Sequence, residues 1–138
     1  MNVALTKDSI DLGIVVRDAD AMVRFYRDVL GFEDTGTMEL PDGSTMHRLL
    51  CGTSLIKLVV PREVPEASAP RGGIQGATGY RYWTISVANL DEITERCAQD
   101  GRRVVVGPQE IRAGVRISIV EDPDRNWVEF LATSEPSR

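Results

Sequence analysis

Apolar and polar positions along the chain change period in an ordered way. Residues 10–16, IDLGIVV, are a short run rich in β-branched side chains and predict a strand. Asp18 and Asp20 follow as helix-capping residues. Met22, Phe25, Tyr26, Val29 and Leu30 then fall at i, i+3, i+4, i+7 and i+8, the apolar stripe of an amphipathic helix that Gly31 ends. Strands are predicted over Phe32–Leu40, Thr45–Leu50 and Leu55–Val60, with turns at Pro41-Asp42-Gly43 and Cys51-Gly52-Thr53. Residues 61–79, PREVPEASAPRGGIQGATG, show no period and read as a linker or a mobile loop, with a cavity flap as one use.

After this segment the order repeats. Tyr82–Val87 predicts a strand, and Asn89 and Asp91 take capping positions. Leu90, Ile93, Cys97 and Ala98 carry a weaker helical stripe that Gly101 ends. Arg103–Val106 predicts a strand broken by Gly107-Pro108, and Val115–Val120 and Trp127–Leu131 predict a hairpin. IDLGIVVRDAD (10–20) lies over RYWTISVANLD (81–91), and Lys57-Leu58 lies opposite Glu129-Phe130. The chain therefore reads as two β-α-β-β-β copies, in residues 1–60 and 80–138. Neither copy buries its sheet alone, so the expected fold is α+β: two modules forming one curved mixed sheet around a cavity, helices outside.

Composition narrows the function classes. Of 138 residues, 42% are hydrophobic and 27% charged, as in an ordinary globular domain. The net charge is −5 and no Lys/Arg cluster stands out, so no nucleic-acid partner is expected. No apolar run approaches the roughly 20 residues that span a bilayer. MNVALTKDSIDLG lacks a signal-peptide layout, so the expected location is the cytoplasm. Two cysteines, no CxxC and one histidine leave a structural zinc site short of ligands. GGIQGATG is no phosphate loop, and no nucleophile elbow is present. One stretch does carry chemistry. In EDPDRNWVEF (121–130), a tight turn leads into a strand where Glu129 stands among bulky apolar residues. A carboxylate on such a strand is costly without a partner.

VVRDADAMVRFYRDVLGFE (15–33), VANLDEITERCAQDG (87–101) and EDPDRNWVEF together resemble the vicinal oxygen chelate superfamily, the group of glyoxalase I, bleomycin-resistance proteins, extradiol dioxygenases and fosfomycin-resistance enzymes. The resemblance covers nearly the whole chain. It implies paired βαβββ modules, a homodimer and a ligand cavity inside the curved sheet. It also implies a divalent metal held from four positions, two at the starts of the modules' first strands and two in their last strands. Here those positions fall on Asp11, Tyr82, Lys57 and Glu129. Only Glu129 is of the usual type, and a protonated Lys57 has no lone pair to give a metal. No cofactor is therefore expected, although Asp11 and Glu129 leave room for a weakly held divalent ion. The family's turn carries Gly where this chain has Arg125, and Asn126 is expected to take the positive φ more cheaply than Arg125.

Two readings of the four positions stay open. In one, Lys57, Glu129 and Asp11 form an ion-pair cluster that staples the fold. In the other, Lys57 replaces the metal as a cation, Glu129 moves a proton and Tyr82 donates a hydrogen bond, giving metal-free lyase or isomerase chemistry. Tyr80, Tyr82, Trp83 and Trp127 are candidate platforms for a flat ligand, with core packing as the alternative. Arg48 and Arg116 are candidates to hold a carboxylate or phosphate, and His47 is a candidate base. The function expected is either a glyoxalase-like enzyme or a protein that sequesters a drug or metabolite.

Overall fold

The computed structural model describes residues 2–134, so Met1 and residues 135–138 of the expected modules lie outside the described residues. The chain divides into two compact units, Met1–Glu66 and Ala67–Arg138. The first contains β1 (Leu12–Val15), α1 (Ala19–Arg24), β2 (Glu33–Glu39), β3 (Thr45–Cys51) and β4 (Ser54–Val60). The second contains β5 (Tyr82–Ser86), α2 (Leu90–Gln99), β6 (Val104–Arg112), β7 (Val115–Glu121) and β8 (Trp127–Thr133). Each forms a four-stranded mixed sheet, in the orders β1-β4-β3-β2 and β5-β8-β7-β6. The first and last strands of each unit pair in parallel, and the remaining pairs are antiparallel. The helix supplies the crossover that a parallel pair requires.

In the first unit, Asp18 caps α1 by accepting from Asp20 N at 2.9 Å. The helix then widens over Phe25–Val29, where Leu30 N–H reaches Phe25 O five residues back. Met22, Phe25, Tyr26 and Val29 are buried on one side of it, as their spacing predicts. Phe25 and Tyr26 meet edge to face at 5.0 Å, and Tyr26 stacks on Phe32. On the sheet, Leu49, Ile56 and Leu58 are at most 1% exposed, so this face is the one the helix covers.

The weaker stripe of α2 resolves differently from expectation. Ala98 is exposed, and Thr94 takes its place beside Leu90, Ile93 and Cys97. The Thr94 hydroxyl donates to Leu90 O and shares a hydrogen bond with Ser118 Oγ, both at 2.7 Å. A buried hydroxyl thus satisfied is tolerated in a core. Both cysteines are free, and burial pushes the Cys97 thiol up to about 12.

Two further expectations are corrected. β6 does not stop at Gly107-Pro108 but runs through it to Arg112, with register shifts on either side of the pair. It is an edge strand, where bulges and a missing N–H are accommodated. The glycine-rich segment before β5 is also more ordered than a mobile loop. Gly73 lies directly against the Trp127 indole, and Arg81 donates to the carbonyls of Gly73 and Pro70. Arg17 does the same for the carbonyls of Pro65 and Glu66 in the first unit.

The 122–126 turn is organised by Asp122, which is 2% exposed. Its Oδ1 accepts from Asp124 N and Asn126 N, and its Oδ2 from Asn126 Nδ2, each at 2.9 Å. The positive φ falls on Arg125 (68°) rather than on Asn126. Asn126 is committed to Asp122 through both backbone and side chain, so it is not free to adopt that conformation.

Two stability predictions follow. Arg125→Gly removes the left-handed penalty and is expected to raise the unfolding free energy by about 1 kcal/mol; urea denaturation checks the sign. Gly73→Ala drives a methyl into the Trp127 ring and is expected to cost about 1–3 kcal/mol. A Gly73→Ala variant of unchanged midpoint would show that the Gly73–Trp127 contact does not hold in solution.

Candidate functional site

In the second unit, β5 and β8 register Tyr82 with Trp127 and Thr84 with Glu129. Registered residues share a face, and period two carries that face to Leu131 and, on β7, to Ile117, Ile119 and Glu121. The opposite face belongs to α2, through the Thr94–Ser118 contact. Glu129 therefore stands half-buried between Trp127 and Leu131 along its own strand and beside Ile119 across the ladder. Its Oε1 accepts from Thr84 Oγ1 at 2.7 Å. Thr84 is thus the residue beside Glu129, and Tyr82, expected there, lies two residues earlier on the same face. The hydroxyl is a neutral donor: it orients the carboxylate without neutralising it.

Glu121 also belongs to this face, which the sequence reading missed. It is 7% exposed, accepts from Trp127 Nε1 at 3.3 Å and lies 3.5 Å from Arg103 Nη1. The signal was present in VRISIVE, because Ile117, Ile119 and Glu121 alternate in step.

In the first unit the corresponding row is Gly13, Lys57, Arg48 and Gly36, one residue from each strand. Gly13, rather than Asp11, registers with Lys57. Asp11 Oδ1 instead accepts from Lys7 Nζ at 2.6 Å and from Leu55 N at 2.8 Å. The Lys7 hydrogen bond, then the Leu55 N–H, hold its carboxyl below the usual range, and Lys57 adds only a weaker charge effect. The Asp11 arm of the expected ion-pair cluster therefore goes to Lys7. Lys57 has no hydrogen bond or ion pair among the described residues.

The remaining candidates divide by strand parity. Arg48 shares a face with Lys57, whereas His47, its neighbour, points with Leu58 to the helix-covered face, where Thr37 Oγ1 lies 3.2 Å from its Nδ1. Trp83 registers with Val128 and so faces away from Glu129. Arg116 is on the α2 face and forms a two-pronged pair with Asp91 at 2.9 and 3.2 Å. Trp127 is buried on Glu129's face and packs with Ile117, Ile119 and Leu131. Tyr80 is fully exposed, at the edge of a shallow recess lined by Arg71, Arg81 and residues 124–126. The structure thus brings Tyr82, Thr84, Trp127 and Glu129 to one face of one unit and Lys57 with Arg48 to one face of the other. It sets His47, Trp83 and Arg116 on opposite faces.

Neither unit's row fits a divalent ion by itself: in the first, a protonated Lys57 has no lone pair and Gly13 has no side chain, and in the second, Glu129 is the one carboxylate beside the Thr84 hydroxyl that donates to it. Among the described residues no group of three or more His, Cys, Asp or Glu side chains is placed to hold a metal, and no helix is long and apolar enough to cross a membrane.

Comparisons with known proteins agree with the topology. Among solved structures, a glyoxalase family protein from Bacillus cereus superposes with a TM-score of 0.79 at 17% identity, over 96% of this chain and 100% of that one. A glyoxylase/bleomycin resistance protein/dioxygenase domain from Frankia sp. EAN1pec gives 0.78 at 21% identity, covering 97% and 96%. The trypanothione-dependent glyoxalase I of Leishmania major gives 0.68 at 22%, covering 89% and 84%. These identities establish a shared fold alone. No curated protein matches the chain. The profile of one sequence family matches residues 9–130, nearly the full length, and on that match the chain belongs to the Glyoxalase/Bleomycin resistance protein/Dioxygenase superfamily.

Proposed function

We propose that this chain is a glyoxalase-type lyase or isomerase that acts on a small molecule by proton transfer and needs no divalent metal. The observation that carries the reading is the Glu129–Thr84 pair. A carboxylate among apolar side chains, held through one oxygen by a neutral hydroxyl, keeps its second oxygen for a proton. Glu129 would remove a proton from a carbon next to a carbonyl. It would return that proton to the neighbouring carbon in an isomerisation or to a leaving group in an elimination. Tyr82, two residues before Thr84, is the hydrogen-bond donor of this scheme. Membership of the superfamily supports a small-molecule ligand, a homodimer and a cytoplasmic setting as parts of the same reading.

A second reading has its own support. Trp127, Ile117, Ile119 and Leu131 give Glu129's face a mainly apolar lining. Such a lining suits a protein that binds and sequesters a flat drug or metabolite without changing it.

One experiment separates the two. Chelator-treated protein is incubated in D2O with a panel of small carbonyl compounds, and deuterium entering the α-carbon is followed by NMR. Glu129→Gln is expected to lower exchange by about 100-fold or more, the scale of a lost general base. Thr84→Val is expected to lower it less. Unchanged exchange in Glu129→Gln would eliminate the enzyme reading. Thermal stabilisation by a flat aromatic compound, with no exchange, would establish sequestration.

A further inference from the structure

The face of the first sheet turned away from α1 has an unusual centre. Lys57 and Arg48 are direct cross-strand partners, side by side on that face. Like charges in such a pair repel and weaken the ladder. No carboxylate repays the cost within the unit: Asp11 is taken by Lys7 and the Leu55 amide, and Glu33 on the same face stands two strand positions along, opposite Leu50. Lys57 has no hydrogen bond or ion pair among the described residues. Among the described residues the Arg48 side chain makes one hydrogen bond, from Nη2 to Thr35 O at 3.1 Å, and its buried Nε–H meets no acceptor. A buried donor left bare is itself costly.

The surroundings are as particular as the pair. Gly13 and Gly36 flank it, so no side chain covers it from either neighbouring strand. A methyl at Gly13 would meet nothing within 4 Å, and one at Gly36 would only touch Arg48 Nη2 at 3.8 Å. The next row on this face is wholly apolar: Val15, Val59, Met46 and Met38. Val15 is 60% and Met38 42% exposed. Two cations thus sit beside an apolar strip on one sheet face.

We propose that Lys57 and Arg48 form an anion subsite that takes the carboxylate of a small ligand, whose apolar body lies along Val15, Val59, Met46 and Met38. The guanidinium edge that carries Nε is one of those a carboxylate engages through two parallel hydrogen bonds. The fold covers Nε, so presenting it takes a turn of the Arg48 side chain, and Gly36 leaves that turn unhindered. Lys57, a point charge on a flexible stem, completes the neutralisation. The proposal deepens the functional reading by naming the ligand class, and it holds for turnover and for sequestration alike.

The test is calorimetric binding of octanoate, its neutral amide and inorganic phosphate. Wild type is expected to bind octanoate about tenfold or more tightly than the amide, the scale of one charge-assisted hydrogen bond, and less tightly as salt is raised. Lys57→Met and Arg48→Gln are each expected to lose about tenfold or more, by the same scale. Arg27→Gln, which removes an equal charge outside this face, is expected to lose nothing. Because Lys57→Met also removes the like-charge pair, it is expected to keep or raise the melting temperature of the protein alone. Equal binding of octanoate and its amide would overturn the proposal, as would full binding in both Lys57→Met and Arg48→Gln. A lowered melting temperature in Lys57→Met would overturn it too, by showing that a carboxylate of the chain already holds the ammonium. Phosphate binding as tight as octanoate would remove the apolar strip from the subsite. No arm depends on turnover, so failure here and failure of the proton-transfer reading are separate results.

Discussion

Everything chemically informative in this chain hangs on the parallel pairing of the first and last strands of each unit. That pairing makes β4 and β8 inner strands, bonded on both sides. An inner strand must give one face to the helix, because the crossover helix has only its own sheet to cover. Ile56 and Leu58 go to that face in β4, and Val128 and Phe130 in β8. Strict alternation then leaves Lys57 and Glu129 on the other face, each in the middle of its sheet. Their position follows from their neighbours' need to be buried.

The two inner-strand charges are treated differently by their surroundings. Glu129 has a hydroxyl beside it, which orients the carboxylate, and apolar groups around it. Lys57 has glycine on one side and a second cation on the other. Neither arrangement is what stability alone would select. A buried carboxylate favours a cationic partner, and a cation in a ladder favours a carboxylate opposite. Other charged groups of the chain do have partners. Asp122 accepts three hydrogen bonds in its turn, Arg116 is matched by Asp91, and Asp11 is matched by Lys7. The contrast sets Lys57 and Glu129 apart as inner-strand charges with no salt-bridge partner among the described residues.

Much of this was legible in the sequence. Helix stripes, the capping aspartate, the terminating glycines and the repeat of the βαβββ order are local signals read from consecutive residues, and apart from the far end of β6 they placed the strands and helices to within a few residues. The misreadings share a cause. Thr94 was passed over because a threonine does not look apolar until Ser118 arrives to share its hydroxyl. The break expected at Gly107-Pro108 did not occur because an edge strand tolerates what an inner strand does not. Arg125, not Asn126, takes the left-handed conformation because Asp122 had already claimed Asn126. In each case the deciding partner lies outside the stretch being read.

The same division runs through the candidate site. By itself the sequence determined which elements form, in what order, and that a carboxylate and a lysine occupy equivalent places in the two last strands. Residue type and spacing suffice for that, since they set local conformation and the period of burial. Only the tertiary structure decided who stands beside them. It chose Thr84 over Tyr82 and Gly13 over Asp11, joined Arg48 to Lys57, and turned His47, Trp83 and Arg116 to the opposite faces. The register of a strand pair is set by hydrogen bonding and packing between segments some 45 residues apart, so no count along one strand contains it.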